Sequence, residues 1–183
     1  RVGDVRSGRA RSGVRWDDGP VRRRRGADPR SIEGVYDALA PAVLGYFRSH
    51  RMADPEGLTG DVFVAVTQRL AIFEGDDAAL RRWVFTIAHH RRVDEIRRAN
   101  RQVPPGPPSP DAVDPEDPFD PDLAAALATL TDDQRQVVVL RHVADLSVED
   151  VAAITGRSPG SVKMLSVRGL EALAARLSPT TVT

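Results

Sequence analysis

The chain has 183 residues, no cysteine, and 26 basic against 26 acidic residues. This length predicts one ordinary domain or two small ones. The lack of cysteine excludes a disulfide scaffold, a thiolate metal site and a cysteine nucleophile. No apolar run approaches the roughly 20 residues that span a bilayer, and no signal-peptide pattern opens the chain. We therefore expect a soluble cytoplasmic protein with no membrane contact of its own.

The neutral total conceals a strongly segregated charge. Residues 1–30 carry ten Arg and four Asp, and residues 81–101 carry seven Arg against two acids. Residues 102–122 instead hold six acids and no base. Two basic segments in a neutral chain indicate either a polyanion partner or a solvated face.

Prolines divide the chain into segments. Residues 1–30 combine Gly, Ser and Arg without apolar periodicity and predict a disordered tail. Residues 103–121 contain eight prolines, which is typical of an extended, semi-rigid linker. Residues 31–102 and 122–178 both show helical periodicity, and residues 179–183 form a second tail. The sequence thus predicts an all-α fold of two small helical domains joined by a Pro-rich acidic linker.

The first domain is expected to contain at least three helices. The first begins near Ile32 and meets Pro41, which either interrupts the helix or starts the next one. The second follows a turn at Asp54-Pro55. The third follows a break at Gly75-Asp76-Asp77 and carries one apolar face and one strongly basic face.

The second domain shows clear helix-start signals after a short Leu-rich helix. Thr131 is expected to cap one helix, and Ser147 with Asp150 three residues later resembles a capping box for the next. Ser158 followed by Pro159 predicts the N-cap and first residue of the last helix.

A helix-turn-helix is the strongest motif in the chain. Ala152, Gly156 and Val162 supply a small residue for close helix approach, a glycine for the turn and a branched anchor for the second helix. The side chains that this arrangement offers to a DNA major groove are Ser161, Lys163, Met164, Val167 and Arg168. The same spacing also fits an αα-hairpin of a helical bundle, so spacing alone leaves both interpretations open.

The Arg-rich helix is the second candidate for nucleic-acid binding. Its arginines are Arg81, Arg82, Arg91, Arg92, Arg97, Arg98 and Arg101. Guanidinium groups neutralise phosphates, and neighbouring aromatic and His rings stack on unpaired bases. A solvated charged face remains the alternative.

Catalytic and metal sites are not predicted. His90 and Asp94 are four residues apart on one helix, but two ligands without a third do not make a metal site. The chain has no Gly-rich phosphate loop, no nucleophile elbow and no H-E-x-x-H motif. We expect no cofactor and no enzymatic activity.

The order of these features over residues 31–178 is similar to that of an extracytoplasmic-function sigma factor of bacterial RNA polymerase. In the first domain the resemblance rests on Val35-Tyr36, Pro41-Ala42-Val43-Leu44, Leu58 with Asp61 and Phe63, Trp83-Val84-Phe85-Thr86-Ile87-Ala88-His89-His90, and Val93-Asp94-Glu95-Ile96-Arg97-Arg98. In the second it rests on Leu130-Thr131-Asp132-Asp133-Gln134-Arg135-Gln136-Val137-Val138, Leu146-Ser147-Val148-Glu149-Asp150-Val151-Ala152, and Gly160-Ser161-Val162-Lys163. Only one of the 26 basic residues is lysine, so we expect a GC-rich, actinobacterial source.

The resemblance implies a non-catalytic factor that directs core RNA polymerase to promoters. The implied partners are the polymerase clamp and flap, promoter DNA and an anti-sigma factor, and the linker would thread towards the active-site cleft. The implied polymerase-binding residues are Leu58, Asp61, Phe63 and Gln68. The residues implied to melt the −10 element and hold its unpaired strand are Trp83, His89, His90, Arg91, Arg92, Arg97 and Arg98. The residues implied to read the −35 element are Arg157, Ser158, Ser161, Lys163, Met164 and Arg168.

The chain departs from the family pattern at several of these positions. Gly57 and Gly60 stand where the family has Asp and Gln, on the helix expected to meet polymerase, and each removes a polar contact. His90 replaces the usual Asn, and Met164 lies where Ser is common. Two other classes of function remain as alternatives: a helix-turn-helix regulator that never contacts polymerase, and a helical adaptor that binds only proteins.

Overall fold

The computed structural model describes residues 30–102 and 121–177, and within these ranges the chain forms seven α-helices and no strand. The helices are α1 (Ile32–Ser49), α2 (Pro55–Leu70), α3 (Asp77–Gln102), α4 (Pro121–Thr129), α5 (Asp132–His142), α6 (Val148–Thr155) and α7 (Pro159–Leu177). The all-α prediction is confirmed. The predicted Arg-rich tail apart from Arg30, the predicted linker apart from Pro121, and the C-terminal tail lie outside the described residues.

Helix α1 contains Pro41 in its interior, so this proline neither interrupts the helix nor starts the next one. The side chain of Ser31 accepts a hydrogen bond from the amide of Gly34 at 3.2 Å and caps the helix, which then runs without interruption through Pro41. Pro41 is exposed, so its ring points away from the core. A proline at this position removes one amide donor, but the packing of the buried stripe on the opposite side keeps the helix intact.

The core of the first domain forms where α1, α2 and α3 pack together. Its largest fully buried side chains are Val35, Val43, Tyr46, Phe47, Val62, Val66, Val84 and Phe85. Because one apolar stripe of α3 is committed to this core, the arginines of that helix are confined to its remaining faces.

Helix α7 is the centre of the second domain and packs against α4, α5 and α6. Close approach to α5 depends on Gly169, where a Cβ atom would lie 2.6 Å from Cγ2 of Val138. Arg135 on α5 closes the preceding helix, because its guanidinium donates hydrogen bonds to the carbonyl oxygens of Leu127 and Leu130, both at 2.9 Å. The second domain is therefore built around one long helix.

The two domains are in direct contact. Helix α1 contacts α4 and α5, and α3 contacts α6. Within the described residues, none of the helices is both long enough and apolar enough to cross a bilayer.

Candidate nucleic-acid interface

The predicted helix-turn-helix is present as α6, a glycine turn and α7. Gly156 ends α6 with φ 68° and ψ 23°, a left-handed conformation that strongly favours glycine. Ala152 is nearly buried and Val162 fully buried, as expected for the close-packing and anchor positions. The αα-hairpin alternative predicts the same turn. The exposed surface of α7 therefore has to distinguish a DNA-binding motif from a simple αα-hairpin.

The exposed face of α7 carries both charged and apolar groups. Lys163, Met164, Val167 and Arg168 are all exposed, and Ser161 is half-buried. Met164 and Val167 expose 47% and 55% of their surface. A row of two cations and two apolar side chains suits a DNA groove, where cations meet phosphates and apolar groups meet thymine methyls.

Two of the predicted −35 residues hold the turn in place. Ser158 is the N-cap of α7, because its hydroxyl accepts a hydrogen bond from the amide of Ser161 at 3.2 Å. Arg157 forms an ion pair and a hydrogen bond with Asp133 of α5. In this arrangement both side chains orient the recognition helix from within the domain.

A row of basic groups lies on the outer surface of α3. The exposed members are Arg82, His90, Arg91, Arg97, Arg98 and Arg101. Arg97 and Arg98 make ion pairs with acids one turn earlier, at 3.8 Å to Asp94 and 2.5 Å to Glu95. These pairs are solvent-exposed and contribute little to stability, so the guanidinium groups can exchange them for phosphates.

Two other predicted −10 residues, Trp83 and His89, face the protein interior. Trp83 stacks on Phe73, with ring centroids 5.1 Å apart and planes inclined by 19°. The Nδ1 atom of His89 lies 2.9 Å from Nε2 of Gln136 and 3.3 Å from the hydroxyl of Tyr46. Both neighbours can donate a hydrogen bond, so Nδ1 acts as the acceptor.

Arg92 is buried at the junction between the domains, with 5% of its surface exposed. One of its terminal nitrogens donates to both carboxylate oxygens of Asp132, at 2.5 and 2.6 Å. In this arrangement Arg92 is inaccessible to DNA, and only separation of the domains would expose it.

The electrostatics of the junction follow from burial next to Arg92. Burial, assisted by the charge of Arg92, lowers the pKa of His89 to about 4 and the pKa of His50 to about 3. Burial raises the pKa of Tyr46 to about 12. Partial burial alone would raise the pKa of Asp132, but the hydrogen bond and charge of Arg92 hold it below its usual value. At neutral pH the ion pair of Arg92 with Asp132 therefore lies among neutral rings.

The predicted polymerase-binding residues divide into two groups on α2. Asp61 and Gln68 are exposed, whereas Leu58 and Phe63 expose only 8% and 5% and belong mainly to the core. Phe63 meets the half-exposed Tyr36 edge to face, with centroids 4.7 Å apart. Leu58 and Phe63 thus support the exposed surface of α2 through their packing in the core.

The two glycines of α2 differ in what surrounds them. The amide of Gly57 donates to the capping carboxylate of Asp54 at 2.8 Å, and a Cβ atom there would lie 2.1 Å from one of its oxygens. Gly60 faces open space, with no atom within 4 Å of an added Cβ. Gly57 therefore has a local reason to be glycine, and Gly60 has none in the described part of the chain.

Several junction residues carry no signal in the sequence. Asp132, Gln136 and Asp150 pair with α3 residues that lie 40 to 68 positions away. No local motif links such distant positions. Across the described ranges, no three His, Asp or Glu side chains come together in a way that could hold a metal ion.

Comparison with known proteins identifies the family. The chain matches the family model for sigma-70 region 2 over residues 35–102 and the model for sigma-70 region 4 over residues 122–173. It is 32% identical over 173 residues to the ECF RNA polymerase sigma factor ShbA of Streptomyces griseus, covering 80% of this chain and 91% of that protein. The chain belongs to the sigma-70 family.

Further relatives place this sigma factor in the extracytoplasmic-function (ECF) group. It is 29% identical over 160 residues to the ECF RNA polymerase sigma factor RpoE of Cereibacter sphaeroides, covering 82% of this chain and 88% of that protein. It therefore acts in promoter-specific initiation of transcription by RNA polymerase. Relatives from such distant bacteria do not confirm the expected actinobacterial source.

A solved structure supports the fold. The sigma factor RpoE of Bartonella quintana, crystallised with the anti-sigma factor NepR, superposes with a TM-score of 0.61 at 24% identity. The match covers 81% of this chain and 98% of that one. The two-domain helical architecture is thus shared with a sigma factor of known structure.

Proposed function

We propose that the two domains divide promoter recognition between them. Residues 31–102 would bind polymerase and open the −10 element through α3, residues 103–121 would serve as the linker, and residues 122–178 would read the −35 element through α7. The main support for this proposal is the exposed face of α7, with Lys163, Met164, Val167 and Arg168. Two cations and two large apolar groups that face solvent suit contact with DNA and have no role in packing a helical bundle.

On the first domain, the exposed His90, Arg91, Arg97 and Arg98 would hold the unpaired −10 strand, with polymerase docking at Asp61 and Gln68. These surfaces would be supported from the protein interior by Trp83, His89, Leu58 and Phe63. We propose that the remaining buried cation, Arg92, joins the −10 set only when the domains separate.

The proposed partners are core RNA polymerase, through its clamp and flap, promoter DNA and an anti-sigma factor. The anti-sigma factor is supported by the Bartonella quintana relative, which was crystallised with one. This partnership implies cytoplasmic action and no catalysis by the chain itself. The ratio of one Lys to 25 Arg supports an actinobacterial source.

The test of the −35 assignment replaces two exposed cations of α7. With the holoenzyme, Lys163→Ala/Arg168→Ala should weaken binding to a duplex carrying the −35 element by about 10- to 100-fold and lower the salt dependence by about two ions. Arg176→Ala, an exposed arginine in the last turn of the same helix, is the control. Equal affinity for the double variant and the control would remove α7 from DNA recognition.

A further inference from the structure

Arg157, one of the predicted −35 residues, has its charged group engaged within the second domain. Its guanidinium donates a hydrogen bond to the carboxylate of Asp133 on α5 and forms an ion pair with it. The side chain of Arg157 exposes 30% of its surface, and its Nε atom is buried with no hydrogen-bond partner in the described part of the chain. A guanidinium held in this way cannot donate the same hydrogen bonds to a DNA phosphate.

Both ends of this contact are fixed by regular structure. Asp133 lies in the first turn of α5, which is closed by the capping box of Thr131 and Gln134. The backbone amide of Arg157 donates to the carbonyl oxygen of Ala152 at 3.1 Å, at the end of α6. The ion pair therefore connects the turn of the helix-turn-helix to the start of α5.

The ion pair acts at the start of α7, and a packing contact acts near its middle. Gly169 lies against Val138 of α5, where an added Cβ atom would come within 2.6 Å of Cγ2. The first residue of α7, Pro159, is about 15 Å along the helix from this point. Two contacts so far apart limit the rotation of α7 on α5, and they set the angle at which its exposed face meets DNA.

Stability alone does not account for the ion pair. Asp133 exposes half of its side chain, and ion pairs with this exposure contribute little to folding. The buried Nε atom of Arg157 is unfavourable without a partner. The pair does change the surface offered to DNA, because Lys163 and Arg168 are exposed cations on α7 whereas Arg157 is neutralised by a carboxylate. Each cation withheld from phosphates lowers the affinity that is independent of sequence.

We propose, building on the proposed reading of the −35 element by α7, that Asp133 is a positioning residue for this step and acts through Arg157. Its carboxylate keeps the guanidinium away from the DNA backbone and fixes the start of α7, so that the exposed face of the helix meets the bases in one orientation. Asp133 thereby weakens binding to unrelated DNA and strengthens the preference for the promoter, which is the ratio of the two affinities.

The test measures binding of the holoenzyme to two duplexes. One is a promoter fragment selected by run-off transcription, and the other is the same fragment with a scrambled −35 element. Asp133→Asn releases Arg157, so affinity for the scrambled duplex should rise about threefold and its salt dependence by about one ion. The preference for the promoter should fall by about fivefold or more. Arg157→Ala should lower this preference by a similar factor and leave the salt dependence at the parental value.

A reversed pair and a charge control separate positioning from other effects. Asp133→Arg/Arg157→Asp again joins α5 to the turn and should return the preference for the promoter to within about twofold of the parental value. Asp145→Asn removes an exposed acid of the same domain, at a left-handed position with φ 52° that Asn adopts readily. This control should keep both affinities and the salt dependence of the parent.

Three results would overturn the proposal. The first is an equal preference for the promoter in Asp133→Asn and Asp145→Asn. The second is a loss of affinity for both duplexes in Asp133→Asn, which would indicate a damaged domain. The third is a salt dependence lowered by about one ion in Arg157→Ala, which would show that Arg157 contacts a phosphate itself. A parent holoenzyme without any preference would instead contradict the proposed function, and the positioning role with it.

Discussion

His50, at the end of α1, makes the first domain sensitive to acid. Its Nδ1 atom lies 2.8 Å from the carbonyl oxygen of Tyr46, which can only accept, so Nδ1 carries the proton. The other nitrogen, Nε2, is therefore an unprotonated acceptor, and it is buried without a partner among the described residues. Protonating it would place a second buried cation close to Arg92.

We expect stability to fall as the pH drops below neutral. The folded-state pKa of His50 is about 3, below its ordinary value of 6.5, so the unfolded chain binds more protons between these values. The contribution is fully present above pH 6.5 and is lost progressively towards pH 3. Between pH 7.5 and pH 5 the contribution of His50 to the free energy of unfolding should decrease by about 2 kcal/mol, measured by urea denaturation, and His89, whose pKa is also lowered, adds a decrease of similar size.

The variant His50→Gln tests the assignment of this pH dependence. Its unfolding free energy should vary less between pH 7.5 and pH 5 than that of the parent chain. His90→Gln changes an exposed histidine on α3 and should keep the parental slope. The same slope in both variants would show that His50 is not the responsible group.

At the scale of helices, the packing of α7 on α5 is set by one glycine. In Gly169→Ala the new methyl group would meet Cγ2 of Val138 at 2.6 Å, and both helices would have to move. We expect a loss of about 1 to 3 kcal/mol in unfolding free energy, as for other overpacked cores.

Gly60→Ala is the matched control for this change. The added methyl is the same, but on α2 it enters open space, so the gain in helix propensity should raise the unfolding free energy by up to about 1 kcal/mol. Urea denaturation should therefore show a lower unfolding free energy for Gly169→Ala and a higher one for Gly60→Ala. A destabilisation by Gly60→Ala equal to that by Gly169→Ala would contradict the packing explanation.

The outer surface of α3 predicts an effect on promoter opening. In the holoenzyme, Arg91→Ala/Arg97→Ala should reduce the permanganate reactivity of −10 thymines at least about fivefold, because two cations that hold the unpaired strand are lost. Arg176→Ala, on α7, should leave this reactivity at the parental level. Parental reactivity in the α3 variant as well would remove that helix from strand separation.

Local features of the fold could be predicted from the sequence, and long-range ones could not. Thr131 and Ser147 cap α5 and α6 as expected, since capping depends on residues three positions apart. Pro41 remained ambiguous, because its effect depends on whether packing elsewhere holds the helix together. The burial of Arg92 could not be predicted, because its partner Asp132 is 40 residues away and on the other domain.

On the scale of the whole molecule, the same residues serve two arrangements. In the closed form, Arg92 and His89 stabilise the contact between domains, and the exposed cations of α3 and α7 remain in solvent. In the proposed promoter-bound form, the domains separate and both helices face DNA. The segregated charge fits this dual use at α3, where Arg82 and Arg92 meet Asp150 and Asp132 of the second domain.

Run-off transcription from genomic promoter fragments, with core polymerase in the presence and absence of the chain, tests the central claim most directly. We predict discrete transcripts that depend on the chain and that disappear with Lys163→Ala/Arg168→Ala but persist with Arg176→Ala. Sequence-specific DNA binding by the chain alone, without any chain-dependent transcript, would contradict the account and indicate a regulator that acts without polymerase.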